Sequence, residues 1–360
     1  MTHRSRSVRA LVARLTLSLC ILALAGCGLR SSSGGGATRI QGAGASFPNP
    51  IYQKWFSEYN KANPAVTFDY QSIGSGAGIQ QITEKTVDFG GSDAPMKDDQ
   101  LAKVQGQILH IPTVLGAVVL TYNLPTGPGD LKLSPDAIAA IFLGKIKKWN
   151  DPAIASTNEG VQLPANDINV VHRTDGSGTT FVFTDYLSKV SAEWKGGPGT
   201  GTSVNWPVGG GEKGNEGVTR QVKQTPNSIG YVELIYAEEN KLPVAAIKNA
   251  AGQWVKPSLD SITAAAAGAA AQLPDDLRVS ITNAPGAGAY PISSFTYLLV
   301  YKEQPDQVKG KALVDFLWWA IHDGEAMARE KSYAPLPAEV VKKAEEKIKA
   351  ITYQGKPLRG

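Results

Sequence analysis

The octapeptide Arg173-Thr174-Asp175-Gly176-Ser177-Gly178-Thr179-Thr180 constrains the fold of this chain more than any other stretch. It follows the apolar run Ile168-Asn169-Val170-Val171, which reads as a short buried strand, and precedes Phe183, Tyr186, Leu187 and Val190 at helical spacing. A strand that turns directly into a helix points free backbone N–H groups and the positive end of the helix dipole at one spot. Gly176 and Gly178 let the backbone approach a ligand, Ser177, Thr179 and Thr180 add hydroxyl donors, and Arg173 adds a forked cation. The segment reads either as a glycine-containing N-cap or as a cradle for a tetrahedral anion.

The same alternation recurs along the chain. Ile51, Trp55 and Tyr59 form one helical stripe, residues 66–70 alternate as a half-buried strand, Ile79, Ile82 and Thr86 suggest a short helix, and residues 86–90 are again extended. Residues 111–123 make an apolar stretch long enough to pass from one lobe to another. Ser134-Pro135-Asp136 caps a helix that Gly144 stops, residues 293–301 read as a buried strand, and Val314, Leu317, Trp318 and Ile321 mark a late helix. Residues 264–271 read as a plain alanine helix, and the glycine-rich residues 196–217 as a surface loop, the least ordered part. This is an α/β pattern, and about 320 residues exceed one typical core, so two lobes are expected.

The first 26 residues read as an export segment: Arg4, Arg6, Arg9 and Arg14, then an apolar run over 15–24 too short to span a bilayer, then small residues. Leu24-Ala25-Gly26-Cys27 resembles a bacterial lipobox, with cleavage before Cys27 and acylation of that cysteine, and residues 27–39 follow as a lipidated cysteine and flexible tether. Losing the export segment removes four arginines and no acid, which leaves 32 basic against 32 acidic residues. A neutral chain has no footprint for nucleic acid. Cys20 leaves with the leader and Cys27 carries lipid, so no disulfide forms within one chain. His3, His110, His172 and His322 are scattered, without metal-ligand spacing, so neither a metal nor another cofactor is expected.

Three further segments share the chemistry of the octapeptide. Gly42-Ala43-Gly44-Ala45-Ser46-Phe47-Pro48 precedes the first helix, with Ser46 at a capping position. Ser72-Ile73-Gly74-Ser75-Gly76-Ala77-Gly78 is a second strand-to-helix junction, rich in glycine and hydroxyl. Val87-Asp88-Phe89-Gly90-Gly91-Ser92-Asp93-Ala94-Pro95 ends an extended run on an acid. Asp93 is either a turn residue or a carboxylate facing a bound anion. In the second reading it repels any anion without a proton to donate, so it admits hydrogen phosphate and rejects sulfate.

Together these segments resemble the signature blocks of the periplasmic phosphate-binding proteins of bacterial ABC phosphate importers. Gly144-Lys145-Ile146-Lys147-Lys148-Trp149-Asn150, Asn227-Ser228-Ile229-Gly230-Tyr231-Val232 and Tyr290-Pro291-Ile292 extend the likeness to roughly residues 40–340. The resemblance implies an α/β, two-lobed periplasmic-binding-protein fold of type II-like form with a hinge of extended crossings. Lobe I would comprise 40–114 plus 289–360, and lobe II 115–288. It implies that phosphate takes donors from the Ser46 hydroxyl, the Phe47 amide, Ser75, and the amides and hydroxyls of Ser177, Gly178 and Thr179. Arg173 would hold two ligand oxygens and be positioned by Asp175, and Asp93 would accept the ligand proton. Ser46 stands where the family often has Thr, and Ser75-Gly76-Ala77-Gly78 where adjacent serines or glycines are usual. Ligand would close the lobes, and the closed form would deliver phosphate to the membrane permease.

Rival readings are weaker on the residues. Gly176-Ser177-Gly178 lacks the G-x-S-x-G elbow, so Ser177 with the nearby His172 does not make a hydrolase, and no enzyme activity is expected. Seven tryptophans could stack on sugars, but Trp55, Trp318 and Trp319 sit on apolar helical stripes and read as core. A binding protein for another oxyanion, or a phosphate-binding surface or sensor protein not coupled to transport, stays open at this point.

Overall fold

The computed structural model describes residues 37–125, 130–270 and 273–360. The expected export segment, Cys27 and most of the tether lie outside the described residues. Thr38 and Arg39, expected in the tether, lie in β1 (Thr38–Gly44), which pairs with the next strand from Thr38 onward.

After β1 come α1 (Asn49–Ala62), β2 (Val66–Ser72), α2 (Ser75–Thr83), β3 (Phe89–Ser92), α3 (Asp98–Leu101) and β4 (Ile108–Asn123). The middle holds β5 (Lys132–Leu133), α4 (Pro135–Phe142), α5 (Pro152–Ala155), β6 (Asn169–Arg173), α6 (Gly178–Val190) and α7 (Ala192–Gly196). It continues through β7 (Gly210–Glu212), α8 (Gly214–Gln224), β8 (Ser228–Glu233), α9 (Leu234–Glu239), β9 (Ala246–Lys248), β10 (Trp254–Val255) and α10 (Leu259–Ala269). The last part is β11 (Ser293–Tyr301), α11 (Gln307–Ala320), α12 (Glu325–Glu330), α13 (Ala338–Lys349), β12 (Thr352–Tyr353) and β13 (Lys356–Pro357).

Local rules account for these elements. α1 buries Ile51, Tyr52, Trp55, Phe56 and Tyr59 on one stripe. Ser134 caps α4 by accepting a hydrogen bond from the Ala137 amide at 3.2 Å, and Gly144 takes φ 74° just past its end. β3, β8 and β11 are buried at every position, as strands covered on both faces must be.

Eight strands form one sheet in the order β2-β1-β3-β11-β4-β8-β6-β7. β1 runs parallel to β2 and β3, and Gly44 lies opposite both Ser72 and Gly91. The three strands therefore end together, which brings the residues just beyond them, Ser46, Ser75 and Asp93, to one edge. In the other half β6 is parallel to β7 and β8, with Arg173 opposite Glu212. That register gathers Arg173, the start of α8 and Glu233 in the same way. Ligands of open α/β sheets sit beyond such carboxyl ends.

β4 links the halves: residues from Ile108 to Ala117 pair with β11, and those from Val118 to Asn123 pair with β8. A bulge interrupts the first pairing, since Thr296 faces Val114 and Tyr297 faces Pro112, leaving Thr113 extra. Pro112 is tolerated inside the sheet because it stands at that irregularity. Around β1 the core is aromatic, with Phe56, Phe68, Phe89, Tyr59 and Phe316 in ring contact, and around β6 it is built from Phe142, Phe183, Trp206 and Tyr231.

One expectation fails here. Residues 196–217 are not simply a surface loop: they carry β7 and the start of α8, and Trp206 stacks on Tyr231 with ring centroids 5.5 Å apart. Pairing with β6 holds the glycines of β7 in a sheet that their own propensity would not form.

Candidate functional site

Each half of the sheet contributes a helix whose first turn opens onto the same place. Gly74, at φ 93°, turns β2 into α2, and Ser75 is the first residue of that helix. Ser177 caps α6, accepting from the Thr180 amide at 3.0 Å, and Gly178 begins it. The two N-termini meet: the Gly76 amide donates to the Gly176 carbonyl at 2.8 Å. A Cβ on Gly178 would lie closer than 3.0 Å to both Asp93 Oδ2 and Ser75 Oγ, so only glycine permits this approach. First-turn amides lack partners inside their helix, so two positive dipole ends converge on one junction.

Asp93 and Arg173 are both buried at this junction. Thr296 Oγ1 donates to Asp93 Oδ1 at 2.8 Å, the Asp93 amide donates to Ser75 Oγ at 3.2 Å, and Asp93 Oδ2 is buried with no hydrogen-bond partner. Burial pushes the Asp93 carboxyl up to about 7, against the bond from Thr296, the charge of Arg173 and the contact with Ser75. Arg173 Nε donates to Asp175 Oδ1 at 2.7 Å and its terminal nitrogen bonds Asp175 Oδ2, so the guanidinium is gripped along one edge. The opposite nitrogen reaches Thr179 Oγ1 at 3.4 Å. Burial alone would raise Asp175, but the bonds and charge of Arg173, with the Gly214 amide, hold it below its ordinary value.

The expected residues thus converge: Ser46, Phe47, Ser75, Asp93, Arg173, Asp175, Ser177, Gly178 and Thr179 lie at the joined ends of β1, β3, β6, α2 and α6. Ser46 differs from expectation in one respect. It does not cap α1, whose cap is Pro48 with no side-chain bond. The Ser46 hydroxyl instead receives the amide and the carboxamide nitrogen of Asn215, at 3.2 and 2.9 Å. Cys27 lies outside the described residues.

Sequence reading missed four neighbours. Asn215 sits on the second residue of α8, inside the stretch read as a loop. Thr296 lies in an apolar strand, and the antiparallel pairing of Tyr297 with Ser92 sets it beside Asp93. Tyr231 receives the Arg173 amide at 3.1 Å and lies 2.6 Å from Thr180 Oγ1. Glu233 is buried, burial holds its carboxyl well above the ordinary range, and its Oε1 has no hydrogen-bond partner. An acid ending a strand was the signal that singled out Asp93, and it applies equally to Glu233 at the end of β8.

His172 does not pair with Ser177. Its ring stacks on Trp206 at 4.9 Å, and Nδ1 lies 3.1 Å from the Arg173 carbonyl. The arrangement offers donors, one proton acceptor and one cation.

Comparison with known proteins places this geometry. Residues 31–323 match the PBP superfamily domain. The chain is 50% identical over 325 residues to the phosphate-binding protein PstS of Pasteurella multocida, covering 89% of this chain and 94% of that one. It is 50% identical over 310 residues to the phosphate-binding protein PstS of Xylella fastidiosa, covering 86% of this chain and 84% of the other. Among solved structures, a phosphate-binding protein from Stenotrophomonas maltophilia superposes with a TM-score of 0.67 at 22% identity, covering 86% of this chain and 93% of that one, a likeness of fold. The chain belongs to the PBP superfamily and, within it, to the PstS family.

Proposed function

We propose that this chain binds inorganic phosphate outside the cytoplasm and delivers it to the permease of an ABC importer. The observation that carries the reading is the pairing of an unpartnered, buried Asp93 Oδ2 with two helix N-termini and Arg173 at one junction. Hydrogen phosphate fits that donor set because it has one proton for Asp93 and otherwise only acceptors. Ser46 and Ser75 would give hydroxyls, and the Phe47, Ser75, Gly178 and Thr179 amides would complete the shell with the hydroxyl of Thr179. Ser177 would add its hydroxyl proton. Arg173 would use the guanidinium nitrogens that Asp175 leaves free. Charge-assisted bonds contribute roughly 1.5–3 kcal/mol each, so about five of them reach micromolar affinity, near −8 kcal/mol, before ordering costs. The chain is a binding component and not an enzyme, as its family membership implies.

Lobe I would comprise residues 40–114 plus 289–360, and lobe II 115–288. The change of partner along β4 between Ala117 and Val118 supports a hinge at that crossing. Each lobe alone presents half a shell, so ligand stabilises closure by bridging both. Cleavage before Cys27 and its acylation would tether the protein to the membrane beside its permease.

Titration of the exported protein with phosphate, sulfate and arsenate, followed by tryptophan fluorescence and calorimetry, tests the binding reading. Phosphate is expected to saturate one site at micromolar concentration or below, and sulfate to lose affinity progressively as pH rises above neutrality. Equal affinity for phosphate and sulfate above neutral pH would refute Asp93 as proton acceptor. Membrane release of a Cys27→Ala variant, measured by fractionation, tests the anchor.

A further inference from the structure

Asn215 sits fully buried where the two halves meet, and every polar atom of its side chain is committed. Its Oδ1 accepts from the Glu233 amide at 3.0 Å, which fixes the orientation of the carboxamide. Its Nδ2 then spends two protons, one on Ser46 Oγ at 2.9 Å and one on Thr179 Oγ1 at 3.0 Å. Neither hydroxyl keeps a lone pair free. Ser46 Oγ also receives the Asn215 amide at 3.2 Å, and Thr179 Oγ1 also receives Arg173 at 3.4 Å. A hydroxyl has two acceptor sites and one proton, so one whose acceptor sites are both filled can act further only as a donor.

From this geometry we infer that Asn215 is a positioning residue that sets Ser46 and Thr179 as obligatory donors toward the bound anion. A free hydroxyl would serve a ligand P–OH as readily as a bare oxygen. Locked hydroxyls favour bare oxygens, which leaves Asp93 as the place for the ligand's single proton. The same carboxamide spans the junction, because Ser46 follows β1 while Thr179 and Asn215 start α6 and α8. Asn215 therefore locks Thr179 from within its own half, and locks Ser46 only when the halves are together.

The inference rests on the phosphate reading, and the test separates the two. Phosphate affinity is measured by competition calorimetry for wild type, Asn215→Ala and Asn215→Asp, each also in a Ser46→Ala/Thr179→Val background. Asn215→Asp keeps the shape and the acceptor for the Glu233 amide, so it serves if Asn215→Ala fails to fold. Its new carboxylate accepts from the two hydroxyls and turns their protons away from the ligand. Asn215→Ala is expected to weaken phosphate binding tenfold or more, and Asn215→Asp further still, although it is the closer isostere. Without the two hydroxyls, Asn215→Ala is expected to cost less than about threefold. A role in packing alone would instead give the same loss in both backgrounds, and Asn215→Asp would be the milder change. Full additivity, or wild-type affinity in Asn215→Ala, would overturn the inference while leaving phosphate binding intact. A wild-type chain that does not bind phosphate would refute the functional reading itself.

Discussion

Selectivity against sulfate should depend on pH in a way set by Asp93 alone. Sulfate brings no proton, so it can meet Asp93 Oδ2 only when the protein supplies one. Burial places the Asp93 carboxyl at about 7, and above that pH its protonated fraction falls tenfold per unit. When only a fraction of molecules is competent, the apparent dissociation constant rises by the inverse of that fraction. Sulfate affinity should therefore be flat on the acid side, roughly twofold weaker near neutrality, and about 100-fold weaker at about pH 9. Hydrogen phosphate carries the proton itself and should keep its affinity over the alkaline part of the range. Asp93→Asn replaces the unpartnered oxygen by an N–H donor while its carbonyl can keep the bond from Thr296. In that variant the sulfate profile should lose its slope, and phosphate should lose one charge-assisted bond, about 1.5–3 kcal/mol or roughly 10–150-fold. Calorimetric titration at constant ionic strength in phosphate-free buffers reads both profiles. A wild-type sulfate affinity that does not change between about pH 6 and 9, or the same slope in Asp93→Asn, would refute the reasoning.

Three further outcomes follow from neighbouring contacts. Thr296→Val removes the bond that lowers Asp93, so the pH at which sulfate affinity begins to fall should move upward in the same calorimetric series. Gly178→Ala puts a methyl group against Asp93 Oδ2 and Ser75 Oγ, and should cost about 1–3 kcal/mol of ligand-induced closure, read as weaker phosphate binding with an unchanged melting temperature of the ligand-free protein. Glu233→Gln should raise the melting temperature at neutral pH. The folded carboxyl titrates well above its ordinary 4.5, so its stabilising contribution is complete below 4.5 and is lost as pH rises toward the folded value. Over that window wild type loses about 1.4 kcal/mol for each pH unit of the rise, so the variant should melt higher near neutrality and converge with wild type in acid. A calorimetric melt in which the two never converge would reject that account.

The parts of the fold legible in the sequence are those set by local pattern. β11 coincides with the run read over 293–301, because a strand buried on both faces is an unbroken apolar stretch and turn residues bound it. α4 begins where Ser134-Pro135 announces it. Asn215 was hidden because glycine, proline and asparagine dominate residues 196–217, and β7 exists there only through pairing with β6. Val218 and Val222, buried at helical spacing, were the available sign that α8 starts at its glycine. Thr296 could not be read at all from its own neighbourhood. Its target lies on the neighbouring strand, just past the end of β3, and the antiparallel register of β11 on β3 sets the two side by side. Sequence adjacency points Ser46 to a cap, whereas its partner Asn215 lies 169 residues away.

The electrostatics of the pocket explain why recognition can be strict without a cluster of cations. Arg173 is clasped along one edge by Asp175, so the pair brings little net charge to the site. Adding Lys or Arg would strengthen attraction for sulfate, phosphate and chloride alike, since a cation reads charge and not protonation. Amide and hydroxyl dipoles, by contrast, act only where an acceptor oxygen sits within hydrogen-bond reach, and a carboxyl with an unpartnered oxygen acts only where a proton is offered. The pocket therefore reads its ligand as a pattern of bare oxygens and one hydroxyl. Under the proposed function, that pattern would exist only while the ends of β1, β3, β6, α2 and α6 are together, so discrimination and closure would be a single event. A ligand with the wrong proton count would then fail to select the closed form, because it would lack the differential contacts that stabilise that form over the open one.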